Sequence, residues 1–461
     1  MTVLSAHLYQ VRAARRMVCA PNGYGLFLDP GMGKTSIALT AVSRLLRSEC
    51  ATAALVVAPL RSAVTTWPGE AAKWDCFRRL RVSVICGTEK QRLAALAAVS
   101  DVYTINPENV AWLARHLKSK AARAGFRPDI LLVDESTKFK SGSSVRFRAL
   151  RFLLPLFDRR YILTGTPASQ SVGDLWSQIY LLDGGERLGR TLGEFRARYM
   201  VATERRGGGH VFTEWKPTPG AELRVFDAIK DLVLRLSARD YLNMPERIDN
   251  QILVQLPPPA RRVYQEVEKK FYVEIEGAGV EAASAAAVSI KLRQIVGGAV
   301  YDDKGVARHV HDAKIDALRD LVEEQSGQPL LVAVAFKHEV ERIKAAIPGC
   351  EVAKAHDATF ERRWNAGEIP VALMHPAGVH SMNLQGGCRA VAWFCLTWSL
   401  EDYIQFNMRV ERQGQSSPTV VIHHIVAADT VDQRVSDVLK SKDATQQRLF
   451  DALKAPLWNP S

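Results

Sequence analysis

GLFLDPGMGKTSIALTAVSRLLR, residues 25–47, is the stretch from which the rest of the chain can be read. Gly25–Leu28 is a short apolar run of strand type, and a glycine-rich turn follows it. From Ser36 to about Arg47 apolar residues return at helical spacing. A strand that turns through glycines into a helix N-terminus is an anion cradle. Backbone N–H groups around Gly31–Lys34 converge there, and the helix end adds positive potential. Gly31 and Gly33 free the turn, Lys34 is placed to reach the β- and γ-phosphates of a nucleotide, and the Thr35 hydroxyl suits Mg²⁺. The strict pattern G-x-x-x-x-G-K-[ST] meets Leu28 at its first glycine, so this motif alone leaves a chance match open.

Similar alternation continues on the C-terminal side. Ala53–Val57, Asp129–Val133 and Tyr161–Leu163 read as strands with helical stretches between them. A second run holds Leu330–Phe336, Val371–Met374, Ala390–Cys395 and Val420–Val426, separated by helical patterns such as His338–Ala346 and Leu400–Val410. Strands alternating with helices predict an α/β fold of parallel sheets with helices on both faces. Between the runs lie a glycine-tipped hairpin candidate, Glu204–Trp215, a triple proline at Pro257–Pro259, and helical stretches over Ala260–Glu276 and Glu281–Val296. The predicted domains are residues 1–240, a linker with a helical protrusion over 241–325, and residues 326–461. No internal sequence repeat is visible.

Two further motifs carry chemistry. ILLVDES, Ile130–Ser136, is an apolar strand ending in two carboxylates: Asp134 suits Mg²⁺, and Glu135 is placed to orient and deprotonate an attacking water. A buried strand capped by solvated acids would look the same, but the pairing with a phosphate cradle favours the functional reading. QFNMRVERQGQ, Gln405–Gln415, places Gln405, Arg409 and Arg412 on one face at helical spacing. The plain alternative is a solvent-exposed basic helix. With the cradle present, two arginines able to reach a γ-phosphate are the better reading.

The chain is long enough for two α/β domains, with 461 residues, 47% hydrophobic and 24% charged. No apolar run approaches the roughly 18 residues of a membrane span, and Met1–Met17 has no signal-peptide apolar region. A cytoplasmic protein is expected. The net charge of +12 suits a polyanion without specifying one. Seven scattered cysteines with no C-x-x-C pair argue for buried reduced thiols rather than zinc or disulfide frameworks. The histidines show no metal spacing.

In order along the chain, these motifs resemble the Swi/Snf-type double-stranded-DNA translocases of helicase superfamily 2. LYQ (Leu8–Gln10) resembles the adenine-reading glutamine motif and DPGMGKT (Asp29–Thr35) motif I. LVVAPLRSAVTTWPGEAAKW (Leu55–Trp74) is similar to motif Ia, and YTINPENV (Tyr103–Val110) stands where motif Ib does. DESTKFKSGSS (Asp134–Ser144) is similar to motif II, and LTGTPASQSVGDLWSQIYLL (Leu163–Leu182) to motif III and the helix after it. LRQIVGG (Leu292–Gly298) resembles the helix end before the second lobe, and HPAGVHSMNLQGG (His375–Gly387) motif V. FCLTWSLEDYIQFNMRVERQGQ (Phe394–Gln415) carries motif VI, and TVDQRV (Thr430–Val435) is similar to the segment closing the lobe.

The resemblance implies two tandem RecA-like lobes with a helical insertion, using ATP and Mg²⁺. It implies nucleotide contacts from Gln10, Gly31, Gly33, Lys34, Thr35, Asp134, Gly378 and Gln405, with Mg²⁺ at Thr35 and Asp134. Lys34, Glu135, Arg409 and Arg412 are the implied catalytic residues, the two arginines acting as fingers. Nucleic acid is expected at Arg61, Asn106, Thr166, Asn383 and Trp398, the last of which reads equally as a core aromatic. The implied partner is DNA, double-stranded in preference to single-stranded or branched. Replication, recombination or repair proteins are further expected partners, and activity is expected as a monomer in a bacterial or phage-infected cell. Departures are D-E-S-T in motif II and Val379, His380 and Ser381 in motif V. With LYQ at residue 8 and about 46 residues after motif VI, a compact motor is expected. Three functions compete: a duplex-tracking translocase, a strand-separating helicase or fork remodeller with Glu204–Trp215 as wedge, and a degenerate nucleic-acid-binding subunit.

Overall fold

The computed structural model describes residues 5–207, 210–277, 282–353, 357–378, 382, 384 and 386–453. Its first sheet takes β1 (Gly23–Leu28), β2 (Ala54–Val57), β3 (Val82–Ile85), β4 (Val102–Ile105), β5 (Ile130–Asp134) and β6 (Arg159–Thr164). A two-stranded ribbon of β7 (Met200–Gly207) and β8 (His210–Pro217) follows, and then β9 (Val233–Leu236), the last strand of the first sheet. The order is β3-β4-β2-β5-β6-β1-β9, and every pairing is parallel. All six residues of β1 are buried, which is why its sequence runs apolar instead of alternating: helices cover both faces of such a sheet. Gly25 is required there, since a Cβ would stand 2.8 Å from Val233 Cγ1 and 3.3 Å from Ile162 Cγ1.

The second sheet takes β10 (Glu246–Val254), and the small antiparallel pair β11 (Ala299–Tyr301) and β12 (Ala307–His309) comes next in the chain. The sheet then adds β13 (Leu330–Ala333), β14 (Cys350–Val352), β15 (Val371–Met374), β16 (Ala390–Trp393) and β17 (Thr419–Ala427). Its order is β10-β17-β16-β13-β15-β14, again parallel throughout. The two parallel α/β sheets are those of tandem RecA-like lobes. The chain divides into two compact units: Met1–Val201 with Lys216–Tyr241 and Ala444–Ser461, and Ala202–Trp215 with Leu242–Asp443. The segment expected as linker therefore supplies an edge strand, β10, and a helix over Ala313–Glu324 to the second unit, and the end of the long helix Val431–Ala452 belongs to the first.

Two expectations are corrected. The helix of the third motif ends at Asn407, not Val410, so Arg409 and Arg412 lie in the turns after it rather than on one helical face with Gln405. The Asn407 side chain is taken by Trp393 Nε1 at 2.9 Å, and Gln415 Nε2 caps the Val410 carbonyl at 3.1 Å. Past Asn407 the backbone tightens into shorter turns, Arg409 N–H donating to the Phe406 carbonyl at 3.1 Å and Val410 N–H to that of Asn407 at 3.0 Å. The seven cysteines are all unpaired, but Cys19, Cys50 and Cys76 are exposed instead of buried. No helix among the described residues is long and apolar enough to cross a membrane.

Candidate nucleotide site and the residues around it

The first sheet fixes the site because strands that end together deliver their loops together. β5 and β1 flank β6, so the turn after β1, the Asp134–Glu135 pair after β5 and the Thr164–Thr166 turn after β6 emerge side by side. In the turn after β1, Gly31 and Gly33 adopt left-handed backbone at φ 85° and 77°, which only glycine enters without strain. Gly33 caps the helix α2 (Lys34–Arg47), whose first residue is Lys34. The Lys34 ammonium donates to the Leu28 carbonyl at 2.9 Å and to that of Asp29 at 3.5 Å. An anion offered to the loop would compete for this ammonium with neutral carbonyls, and a charged acceptor wins that competition.

The helix α1 (Leu8–Cys19) grips the same loop. Tyr9 Oη and Gln10 Nε2 both donate to the Met32 carbonyl, at 3.1 and 3.2 Å, and Gln10 Oε1 accepts from His7 N at 3.0 Å. A Cβ at Gly33 would collide with the Gln10 amide. Both ends of the Gln10 amide are thus engaged beside the loop.

Asp134 is buried at the tip of β5, where Oδ2 accepts from Trp67 Nε1 at 3.0 Å and Ser62 Oγ at 3.2 Å. Burial pushes its carboxyl up from the ordinary value, opposed by the Trp67 bond and by the nearby Lys34 charge. A buried carboxylate of this kind gains from a divalent cation, and Asp134 with the Thr35 hydroxyl is a hard-oxygen set that fits Mg²⁺. Glu135 follows with φ 51° and ψ 60°, a left-handed conformation that costs a non-glycine residue about 1 kcal/mol or more and concentrates at working sites. Trp67 lies in the stretch read as motif Ia. Ser62 was not singled out, and its bond spans 72 residues, which no local pattern announces.

The link between the second and third motifs runs through the third residue of D-E-S-T. Ser136 Oγ donates to Gln178 Oε1 at 2.7 Å, and Gln178 Nε2 donates to the Pro167 carbonyl at 2.7 Å and to that of Asp174 at 2.8 Å. Ser136 and Gln178 are fully buried. Lys140 reaches Ser169 at 3.2 Å, whose hydroxyl in turn meets Asp174 at 3.4 Å; burial raises the Asp174 carboxyl.

In the second unit Gln405 is buried and accepts from Arg409 Nη2 at 3.1 Å. Arg409 also donates to the carbonyls of Gln405 at 3.2 Å and Met382 at 3.1 Å. Arg412 is partly buried, and that burial lowers its pKa from the ordinary value. Gly378 lies in a short 3₁₀ turn where an added Cβ would meet nothing within 4 Å among the described residues.

The residues expected at nucleic acid differ in their surroundings. Arg61 opens the helical turn Ser62–Thr66. Asn106 is buried at the end of β4, donating to Glu108 at 2.7 Å and accepting from Asn109 at 2.6 Å. Thr166 is fully buried, and its hydroxyl has no hydrogen-bond partner among the described residues. Trp398 packs, partly buried, against the core of the second unit, its carbonyl accepting from Lys442 at 2.8 Å. Asn383, with Val379, His380 and Ser381, lies outside the described residues.

A family model described as the SNF2-related domain matches residues 9–297. The chain belongs to the SNF2-related family. "Putative protein p41" of Acyrthosiphon pisum secondary endosymbiont phage 1 is 39% identical over 92% of this chain and 93% of its own. The CHD3-type chromatin-remodeling factor PICKLE of Arabidopsis thaliana is 22% identical over 92% of this SNF2-related chain, which spans 32% of that protein. A solved Sulfolobus solfataricus SWI2/SNF2 ATPase core in complex with dsDNA covers 98% of this chain and is itself covered over 95%, at 20% identity and a TM-score of 0.45.

Proposed function

We propose that this SNF2-related protein hydrolyses ATP to move along double-stranded DNA. The observation that carries the reading is that Lys34 and Thr35, opening the helix after β1, and Asp134 and Glu135, at the end of β5, follow two parallel strands that flank β6, with the Lys34 charge felt by Asp134. In this reading Lys34 leaves the Leu28 carbonyl for the β- and γ-phosphates, and the loop N–H groups hold the remaining oxygens. Glu135 orients water for in-line attack and takes its proton. Mg²⁺, at Thr35 and Asp134, would neutralise phosphate charge. Arg409 and Arg412 supply positive charge to the γ-phosphate, and partial burial has already removed some of the solvation that Arg412 would lose on meeting an anion. The Ser136–Gln178–Pro167 chain relays the state of the Asp134–Glu135 turn to the Thr164–Thr166 turn. Gln10 holds the loop at the Met32 carbonyl, and the family resemblance assigns it to the adenine.

Duplex DNA is supported by the family, whose members here include proteins named for chromatin remodelling and excision repair, and by the net charge of +12. Steady-state ATPase activity without nucleic acid, and with single-stranded DNA, duplex DNA or duplex RNA at one salt concentration, tests the reading. Strong stimulation by duplex DNA is expected; stimulation by single strands alone would overturn it. The β7–β8 ribbon favours a second reading, strand separation, since it stands as a sheet of its own. Forked-duplex unwinding that disappears when the ribbon is shortened would favour that reading.

A further inference from the structure

Behind the phosphate loop, a salt bridge is sealed by the end of the C-terminal helix. Asp29, the first residue after β1, sets Oδ1 at 2.7 Å from Arg235 Nη2. Its Oδ2 accepts from Ala238 N at 2.8 Å and from Ser237 Oγ at 3.4 Å. Arg235 sits opposite Phe27 in the β1–β9 pairing, donates to the Phe27 carbonyl at 3.2 Å and to that of Leu236, and is only 6% exposed. Its guanidinium carbon lies 3.5 Å from the ring centroid of Phe450. Phe450 is itself buried in the core of the first unit beside Leu449, and Arg448 pins the same turn to Glu222 at 3.0 Å.

A guanidinium under an aromatic face is shielded from water, and its charge is spent on the one carboxylate bonded to it. Without the ring, water enters, the local dielectric rises and the grip on Asp29 weakens. Asp29 is also a residue whose carbonyl receives Lys34. Loosening it therefore changes the start of the loop that holds the lysine.

We propose that Phe450 is a positioning residue for the nucleotide site: by capping Arg235 it fixes Asp29, and so sets the loop geometry in which Lys34 meets phosphate. The proposal rests on the reading that this loop binds nucleotide. The ring is carried by a helix that begins at Val431, so anything that withdraws the last turns of that helix lowers nucleotide affinity without touching the loop.

The test is binding of a fluorescent ADP analogue, mant-ADP, to the full-length protein. Failure of the unaltered protein to bind would overturn the functional reading rather than this inference. Phe450→Leu keeps apolar volume but loses the ring face, and is expected to weaken binding about five- to tenfold. Phe450→Tyr is expected to keep the original affinity. In an Asp29→Asn background, Phe450→Leu is expected to add no further loss, because its route to the loop is already cut. Circular-dichroism melts check that each variant is folded, and Phe450→Met carries the same prediction should the leucine variant fail that check. Unchanged affinity in folded Phe450→Leu, a tyrosine variant as weak as the leucine one, or an equal loss in both backgrounds overturns the proposal.

Discussion

Replacing Gln178 by leucine removes three hydrogen bonds from a fully buried position while nearly conserving volume. It strands the Ser136 hydroxyl and the Pro167 carbonyl. Each buried polar group left without a partner costs about 1–3 kcal/mol, so the two stranded by Gln178→Leu are expected to destabilise the first unit by about 2–6 kcal/mol. Ser136→Ala strands only Gln178 Oε1 and is expected to cost about 1–2 kcal/mol. The double variant removes both ends of the Ser136–Gln178 bond together, so its cost falls short of the sum by about 1 kcal/mol. Urea unfolding of the four proteins gives the cycle. In ATPase assays Ser136→Ala, the milder change, is expected to keep nucleotide affinity while stimulation by duplex DNA drops about tenfold, as loss of about 1.4 kcal/mol of coupling requires. Additive unfolding costs, or full stimulation in Ser136→Ala, would refute the idea that this bond joins the two motifs.

Lys34→Ala is expected to weaken ATP binding, whereas Glu135→Gln keeps binding and stalls hydrolysis; nucleotide affinity and turnover measured side by side separate the two. Arg412→Ala is expected to leave affinity nearly intact and cut turnover by about 10³-fold or more, and normal turnover would remove it from the mechanism. Burial pushes His338 down to about 4, and neither of its ring nitrogens has a hydrogen-bond partner among the described residues. It is neutral in the folded state and charges on unfolding, so its stabilisation is complete above the unfolded value near 6.5. That stabilisation is lost as pH falls from 6.5 through about 4, a loss of up to about 3 kcal/mol. His311 and His424 are pushed down to about 4 in the same way, so His338→Phe is expected to reduce, not remove, the slope of unfolding free energy over that window, and an unchanged slope in urea titrations would contradict it.

What could be read from the sequence followed from burial on both faces. GLFL, ILLVD and VALM are unbroken apolar runs because their strands lie inside sheets covered by helices, and all their residues are buried. ERIDNQILV escaped notice for the opposite reason. As the edge strand β10 it bonds only to β17 and leaves most of its side chains in solvent, so it has neither an apolar run nor alternation. The loop and the acid pair of the candidate site were legible because glycine conformations and strand-tip carboxylates are local properties. Their supports were not. Ser62 and Trp67 meet Asp134 across 72 and 67 residues, and Gln178 meets Ser136 across 42. Only the fold makes those residues neighbours. Gln405, Arg409 and Arg412 misled through their spacing, which fits a helical face, whereas the helix ends at Asn407 and the backbone beyond it closes in shorter turns onto the Phe406 and Asn407 carbonyls.

The position of β1 also bears on how the protein is made. Its two neighbours, β6 and β9, span Arg159–Thr164 and Val233–Leu236. A nascent chain therefore carries Gly23–Leu28 with neither sheet partner available until the translating ribosome has passed well beyond it. At about 5–20 residues per second the wait for β9 is roughly ten to forty seconds. Through that interval an apolar strand with two open edges must be kept from other chains, which makes the strand leading into the candidate nucleotide loop a segment that a co-translational chaperone has reason to hold.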